Sequence, residues 1–338
     1  MLARATAPRR RADTLSLRER TIVGALAGAA PDLDFFMTVF GPVAYLEHHR
    51  GVTHSLLAMP LWALVLAIAF SLLGGRRYGW KAYYGVSLLG IGIHILGDLI
   101  TSYGTRILAP FSQWSPGFNT TFIIDPWLSG LLLVGLAASL YWRPRLGAAL
   151  GLVAVTALVL FQYTQYRTAL DVGQDYAGGR GLSEARAEAY PQPFSPFNWL
   201  VSVSTPEAHY LARINLRRSE IPDAPSQDAF WYRRILASYR PVSDPGWERH
   251  PVFGAGARDR LARSAWAQDR FGFYRRFAHL PAVYDVDRGE RGECAWFVDL
   301  RFELEGLTPP FRYGMCRGEP KDDWRPYRLT GGGPQPVY

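Results

Sequence analysis

Long apolar runs separated by short polar loops dominate the first half of the chain. Four of them, residues 56–73, 82–100, 122–142 and 146–163, are apolar and long enough to cross a bilayer, which takes about 20 helical residues. A fifth run, residues 21–40, is weaker because a proline and two aspartates interrupt it. We therefore expect four to five hydrophobic helices, with the fifth run forming a broken or re-entrant helix.

The second half of the chain has a different pattern. After Tyr163, arginine, proline, tryptophan and tyrosine become frequent, and no further run is long enough to span a membrane. Residues 198–204 and 295–303 alternate or run apolar as strands do, whereas residues 228–240 and 257–271 have helical periodicity. The pattern predicts a mixture of strands and helices.

These patterns predict two domains behind a short leader. Residues 1–20 form a basic cytoplasmic leader, residues 21–165 an all-α polytopic membrane bundle, and residues 166–338 a small α+β soluble domain. The glycine-rich stretch at residues 171–181 is interpreted as a linker or loop between the two domains.

The start of the chain is unlike a cleaved signal peptide. Its first twenty residues hold six arginines and no apolar core followed by a small-residue cleavage site. Ser16 and Glu19 have the spacing of a capping box, which begins a helix. The small side chains of residues 22–30 suit close helix packing.

Charge orients the predicted spans. The formal net charge is +8, but the basic residues flank apolar runs and form no dense basic patch with interleaved aromatics, so we expect a lipid bilayer and no nucleic acid as partner. Loops rich in lysine and arginine stay cytoplasmic, which applies to the leader and to residues 76–81 and 143–145. Residues 41–55 and 104–121 and the C-terminal domain are then extracytoplasmic.

Seven side chains of metal-binding type interrupt the apolar segments, and the predicted topology brings all of them to the outer side. They are Asp32, Asp34, His49, His54, His94, Asp98 and Asp125. Ionisable groups at membrane depth are costly and usually functional. Histidine and carboxylate ligands favour zinc, with manganese or iron as alternatives, and seven are more than one tetrahedral site needs. The sequence predicts one or two divalent ions per chain.

Local spacing supports the metal prediction. His94 and Asp98 are four residues apart, so a helix presents both on one face. Asp32 and Asp34 follow Pro31, where irregular backbone lets both carboxylates face one centre. Each pattern has a structural alternative: a histidine–carboxylate hydrogen bond in a helix bundle, and a helix-end turn.

The string at residues 49–55 is the most unusual motif. Gly51 permits a tight bend, and Thr53 is a candidate N-cap for a helix that begins directly after it. His54 would then lie beside a helix N-terminus, where anions are favoured. The alternative is a solvated loop that contains histidines by chance.

Three residues near this motif are assigned catalytic roles: Arg50, Asp34 and His54. Arg50 is suited to bind a phosphate or carboxylate and to stabilise developing negative charge. Metal ions polarise a phosphoryl oxygen and lower the pKa of bound water. No Walker loop, nucleophile elbow or dinucleotide fingerprint competes with this interpretation.

The motifs taken together resemble a known family. The chain resembles the YdjM-like family of membrane-bound predicted metal-dependent hydrolases in the order and spacing of five strings. They are Ala-Pro31-Asp-Leu-Asp34, His49-Arg-Gly-Val-Thr-His54-Ser, His94-Ile-Leu-Gly-Asp98-Leu-Ile-Thr101-Ser-Tyr-Gly104, Pro110-Phe-Ser112 and Asp125-Pro. Members are described as bacterial inner-membrane hydrolases, some of them regulated by LexA. The resemblance implies a multi-pass protein of the inner membrane.

The resemblance also has implications for the site. The family is remotely similar to the zinc-dependent phospholipase C and P1 nuclease group, which implies an all-α metal site that acts on phosphodiesters. The metal-site positions carried over are Asp32, Asp34, His49, His54, His94 and Asp98, with Asp125 in addition. One departure is the arginine-rich leader, because family members often begin with a short helix bearing a Thr-His or Thr-Gln pair.

Three classes of function fit these observations. The first is a metal-dependent hydrolase that uses metal-activated water on a phosphoester or lipid-linked substrate. The second is a transporter or ion-handling protein in which the same groups relay ions, although the candidates cluster near one surface and no internal repeat is evident. The third is a non-catalytic envelope assembly protein with a structural polar site.

The two cysteines, Cys294 and Cys316, both fall in the C-terminal domain. In an oxidising outer compartment they are candidates for a disulfide, and the alternative is two buried free thiols. His209, His250 and His279 are too far apart in the sequence for any ligand spacing, so we expect ordinary surface or strand histidines.

Overall fold

The computed structural model describes residues 1–8, 14–226, 228–289 and 292–337. The chain divides into two compact units. The helical unit comprises Met1–Val39 and Glu47–Thr164, and the C-terminal unit comprises Phe40–Leu46 and Gln165–Tyr338. The short segment Phe40–Leu46, which the sequence assigned to the membrane bundle, therefore packs with the C-terminal unit.

Helices fill the first half of the chain. In order they are α1 (Leu2–Ala5), α2 (Leu17–Ala29), α3 (Pro42–His48), α4 (Met59–Leu73), α5 (Trp80–Leu99), α6 (Pro126–Tyr141) and α7 (Pro144–Gly179). Two 3₁₀ helices, Pro31–Phe40 and Val52–His54, lie between α2 and α4. The break that the sequence predicted within residues 21–40 is confirmed, because α2 ends at Ala29 and a 3₁₀ helix follows.

Among the described residues, three helical segments are long and apolar enough to span a membrane: Leu17–Phe40, Trp80–Leu99 and Pro144–Gly179. A fourth span results if Pro42–His54 and Met59–Leu73, which meet at a bend of 83°, are counted together. The segment expected to be weakest thus meets the criterion. The predicted span 122–142 does not, because α6 has only 16 residues.

The end of α7 corrects one prediction. The glycine-rich stretch 171–181 was expected to be a linker, but α7 continues as helix to Gly179. A Cβ atom added at Gly173 would lie only 2.9 Å from Cγ1 of Val201. The absence of a side chain at Gly173 therefore lets α7 approach the strand that contains Val201. The glycines of this stretch serve packing as well as the turn at Gly181, whose φ is +66°.

The leader is folded at least in part. The Ser16 hydroxyl accepts a hydrogen bond from the Glu19 amide, and the Glu19 carboxylate accepts one from the Ser16 amide, which confirms the capping box. Arg4 is buried and donates to the side chain and carbonyl of Ser139. Three leader arginines, Arg9, Arg10 and Arg11, lie outside the described residues.

The C-terminal unit is rich in β-structure. Its strands are β1 (Arg186–Pro191), β2 (Asn198–Ser204), β3 (Ala208–Asn215), β4 (Arg240–Pro241), β5 (Glu248–Pro251), β6 (Pro281–Gly289), β7 (Gly292–Asp299), β8 (Tyr313–Arg317), β9 (Arg325–Thr330) and β10 (Gly333–Pro336). Its helices are α8 (Trp231–Ala237), α9 (Gly256–Trp266) and α10 (Gly272–Phe277). The strand predicted at residues 198–204 is confirmed, and the strand predicted at 295–303 ends at Asp299.

The strands form two sheets of five within the described residues. One has the order β1-β2-β3-β4, with β5 also paired to β3, and the other is an antiparallel meander of order β10-β9-β8-β7-β6. Leu200 and Leu211 of the first sheet share a buried apolar cluster with Leu280, Ala282 and Val298, which lie in or beside the second. This cluster is a hydrophobic core of the unit.

Cys294 of β7 and Cys316 of β8 occupy directly opposed positions in the antiparallel pair. Their sulfur atoms lie 2.04 Å apart, at bonding distance, and both residues are buried. His209 of β3 is also buried, where its ring contacts the Ser204 hydroxyl and the Pro281 carbonyl. Burial lowers the pKa of His209, so the neutral ring is favoured there.

A close contact between α2 and α5 fixes the two elements that carry the candidate site. A Cβ added at Gly90 of α5 would lie 2.9 Å from the Gly24 carbonyl oxygen and 3.0 Å from the Gly28 amide nitrogen of α2. The small residues of α2 therefore permit close packing, as the sequence predicted. Asp32 follows α2, and His94 lies one turn after Gly90.

We predict that Gly90→Ala lowers the free energy of unfolding by about 1–3 kcal/mol, because backbone atoms of α2 leave no space for the added methyl group. Gly85→Ala on the same helix is the matched control, since its added Cβ meets nothing within 4 Å. The control should be neutral or stabilising by up to about 1 kcal/mol. Thermal unfolding in detergent measures both, and equal shifts would contradict the packing account.

Candidate metal centre

Two histidine nitrogens and a carboxylate oxygen meet in the helical unit. His54 Nε2 and His94 Nε2 lie 3.0 Å apart, and Asp32 Oδ1 lies 3.5 Å from each of them. Zinc–ligand bonds of about 2.0–2.2 Å place the donor atoms of a tetrahedral site about 3.3–3.6 Å apart. The three atoms therefore form a triangle close in size to one face of such a site.

Asp98 adds a fourth donor beside the same nitrogens. Its Oδ2 atom lies 3.2 Å from His54 Nε2 and 3.5 Å from His94 Nε2. This oxygen is buried and has no hydrogen-bond partner among the described residues. Two facing imidazole nitrogens can share only one proton, and an unbonded buried carboxylate oxygen is costly. A cation held among the donor atoms of Asp32, His54 and His94 would satisfy them, and the Asp98 oxygen lies beside both histidines, so the residues fit a metal ion.

The local folding of three segments produces this convergence. His94 and Asp98 lie on one face of α5, as their spacing of four residues predicted. Asp32 lies in the 3₁₀ helix Pro31–Phe40, where the break after α2 turns the chain. His54 ends the 3₁₀ helix at the bend before α4 and is fully buried.

Asp34 and His49 form a second group with Asp32. One donor atom of each lies within 4.8 Å of the others. Asp34 is, however, already hydrogen-bonded through both oxygens. Its Oδ1 lies 2.8 Å from His49 Nδ1, and its Oδ2 accepts hydrogen bonds of 3.0 Å from the Arg50 amide and the Thr53 hydroxyl.

Asp34 also approaches the other side of the His54 ring. The distance from Asp34 Oδ2 to His54 Nδ1 is 3.4 Å, while the Thr53 hydroxyl lies 2.9 Å from the same nitrogen. Metal-binding histidines usually make such a contact with a carboxylate through their second nitrogen, which orients the ring. The position of Asp34 suits this supporting role.

Arg50 is directed into the protein. Its guanidinium pairs with Asp98 Oδ1 at 2.9 Å, donates to the Thr101 hydroxyl at 3.0 Å and stacks 4.8 Å from the centre of the Tyr103 ring. Arg50 is buried, and its φ of +53° lies in the left-handed region that side chains seldom adopt. These contacts hold the Asp98 carboxylate, whereas the sequence assigned Arg50 to an incoming anion.

The turn around Gly51 corrects a second expectation. Thr53 does not cap a helix at Ser55, because α4 begins at Met59 and the Thr53 hydroxyl contacts Asp34 and His54. The bend at Gly51 is confirmed. A Cβ at this position would lie 2.7 Å from the His48 carbonyl oxygen, so the turn requires glycine.

Asp125 lies outside both groups of donor atoms. Its Oδ1 accepts a hydrogen bond from the Leu128 amide and so caps α6, and its Oδ2 accepts one of 2.7 Å from Gln162 of α7. Gln162 accepts in turn from the Thr121 hydroxyl. Asp125, which was predicted to be a metal ligand, therefore links α6 to α7 in the structure. An aspartate before a proline at a helix start could have indicated the cap.

The donor groups differ sharply in exposure. The Asp32 side chain is 59% exposed, whereas those of His54, His94 and Asp98 are 0%, 14% and 13% exposed. The cluster is therefore accessible from the side of Asp32.

The residues that support the cluster were only partly identified from the sequence: Thr101 and Tyr103 fall in the motif that follows His94, but neither was assigned a supporting role. Thr101 and Tyr103 contact Arg50, and Arg106 donates to the Glu47 carbonyl and packs over Gly51. Neither spacing nor composition identifies such partners, because they come from a loop whose path depends on the tertiary structure.

Comparison with known proteins gives two matches. Residues 1–169 match the model of the family described as YdjM inner membrane protein. Over 203 residues the chain is 25% identical to the uncharacterized protein YfhP of Bacillus subtilis (strain 168), which covers 59% of this chain and 60% of that relative. The chain thus spans less than two thirds of the relative's length. No solved structure matches it. Since the family model matches half of the sequence, the chain belongs to the YdjM inner membrane protein family.

Proposed function

We propose that this inner-membrane protein is a metal-dependent hydrolase that acts on a phosphoester or lipid-linked substrate. The observation that carries the proposal is the cluster of Asp32, His54, His94 and Asp98, in which only the first side chain is substantially exposed. Structural metal sites are closed by protein ligands, whereas catalytic sites keep one position open for water or substrate. An accessible side of the cluster favours the catalytic type.

The cluster fits one divalent ion, with zinc favoured by the two imidazoles and manganese or iron as alternatives. His54, His94, Asp32 and Asp98 would hold it. The ion would polarise a phosphoryl oxygen and lower the pKa of water. Hydrolysis then joins the water oxygen to phosphorus, while the ester oxygen leaves with a proton.

The remaining polar residues position the ligands. The Arg50 guanidinium pairs with Asp98 and is itself bound to the Thr101 hydroxyl. The Asp34 carboxylate lies beside His54 Nδ1 and accepts a hydrogen bond from the Arg50 amide, so it links His54 to the residue that holds Asp98. Asp34 and Arg50 were assigned catalytic roles from the sequence. Their contacts support positioning roles instead, because both are buried and paired with other protein groups.

We predict that the purified protein binds zinc, manganese or iron and that His94→Ala loses it, because one of four donors disappears. His48→Ala is the matched control, since His48 is an exposed neighbour of the site that belongs to neither donor group. Elemental analysis of the folded proteins in detergent measures the content. Full occupancy in His94→Ala, or none in the wild type after reconstitution, would contradict the ligand assignment.

A second prediction separates one ion from two. If Asp34 positions His54, then Asp34→Asn keeps a stoichiometry of about one ion per chain and weakens binding about 10–100-fold. If Asp34 and His49 hold a second ion, the wild type binds two and the variant binds one. Titration with a metal indicator distinguishes these results, and a stoichiometry of two would overturn the single-ion account.

The orientation is also a proposal. Lys81 lies at the start of α5 in the basic loop, and Asp98 lies near its end, about 25 Å away along the helix. Basic loops favour the cytoplasm, so the cluster would be near the outer surface. The C-terminal unit is then outside only if the 16-residue α6 also crosses the bilayer. The opposed cysteines of β7 and β8 favour this arrangement, because disulfides form in oxidising compartments.

A fusion experiment tests this orientation. Alkaline phosphatase, which folds only outside the cytoplasm, should be active when fused after the C-terminal unit and inactive when fused in the loop between α4 and α5. The opposite pattern would show that the predicted topology is inverted. The metal-binding prediction does not depend on this result.

A further inference from the structure

Exposed apolar side chains border the accessible side of the metal cluster. In the 3₁₀ helix that carries Asp32, the side chains of Leu33, Phe35 and Phe36 are 59%, 62% and 68% exposed. Phe35 follows Asp32 by three residues, and a 3₁₀ helix presents residues of that spacing on the same side. The one accessible ligand therefore lies beside an apolar surface.

This surface belongs to a segment that can span a membrane. Asp32 and the two phenylalanines lie within Leu17–Phe40. Exposed apolar side chains on such segments face lipid, because burial against other helices does not cover them. The accessible side of the cluster thus opens toward lipid more than toward bulk water.

Aromatic side chains indicate the depth of this opening. The loop after α5 exposes Phe111, Trp114 and Phe118 at 86%, 58% and 55%. Tryptophan and other aromatics collect where the acyl region meets the headgroups. A charged, exposed Asp32 is also tolerated at this depth and not in the hydrocarbon centre.

We infer that the substrate is a membrane lipid with a phosphoester headgroup, which reaches the cluster sideways from the bilayer. Its phosphate would meet the ion at Asp32, and its acyl chains would lie along Phe35 and Phe36. This inference rests on the proposed function, because it names the substrate class of the same site. It disfavours water-soluble phosphoesters, which lack chains to occupy the apolar border.

The test uses the full chain in lipid nanodiscs. The probe is a photoactivatable diacyl phosphonate, which mimics a lipid phosphodiester and resists hydrolysis. Phe35→Ser/Phe36→Ser removes the apolar border without changing any donor. Leu133→Ser/Val134→Ser is the matched control, since these α6 side chains are similarly exposed, at 68% and 67%.

The border variant should lose at least about tenfold in apparent probe affinity, because two aromatic contacts with the acyl chains disappear. The control should change by less than about twofold. A water-soluble phosphonate with the same headgroup should fail to compete at concentrations where the unlabelled diacyl form competes. Equal labelling of both variants, or equal competition by the soluble phosphonate, would overturn the inference.

Metal content measured on the same samples separates the two proposals. If the wild type binds metal and the Phe35→Ser/Phe36→Ser variant is labelled as strongly as the wild type, the lipid-entry proposal is wrong and the metal-centre proposal stands. If labelling depends on the two phenylalanines but no metal is bound, the metal centre is wrong and the lipid site stands. Asp32→Asn should lose both metal and labelling if both proposals hold.

Discussion

The desolvation of charged groups is the constraint on which the helical unit depends. Carboxylates and imidazoles removed from water destabilise a protein unless they pair with one another or with an ion. Here His54 lies between Asp34 on one side of its ring and Asp32, Asp98 and His94 on the other. The whole arrangement is held by α2 and α5, which approach closely through glycine.

The same constraint explains why the supporting residues are polar and specific. Arg50 neutralises one oxygen of Asp98 and leaves the other directed at the histidines. Its left-handed backbone conformation follows from the tight turn at Gly51. A strained residue that is buried within an ion-pair network is typical of a functional site. The network thus holds the Asp98 oxygen beside the two facing histidine nitrogens, and this oxygen has no hydrogen-bond partner among the described residues.

Much of the site could be predicted from the sequence. Helical spacing placed His94 and Asp98 together, and the cost of charge at membrane depth identified Asp32 and His54. Asp125 shows the limit of this reasoning. An aspartate before a helical proline is a capping pattern, and Asp125 serves as a cap here. The sequence prediction counted it as a ligand because it lies at the same predicted depth as the other six candidates.

The elements of the fold were largely predictable from the sequence, whereas some of their ends and long-range contacts were not. Apolar runs identified the helical half, and alternation placed β2 at its observed bounds. The extension of α7 to Gly179 was missed, because glycine normally argues against helix and tertiary packing here overrides that preference. The assignment of Phe40–Leu46 to the C-terminal unit was also missed, since contacts distant in sequence decide it.

X-ray absorption spectroscopy of the metal-loaded protein tests the central claim most directly. The account predicts an ion with two imidazole nitrogens and additional oxygen donors at about 2.0–2.2 Å. A spectrum without imidazole scattering, or with the ion in a fully hydrated shell, would contradict the assignment of His54 and His94 as ligands.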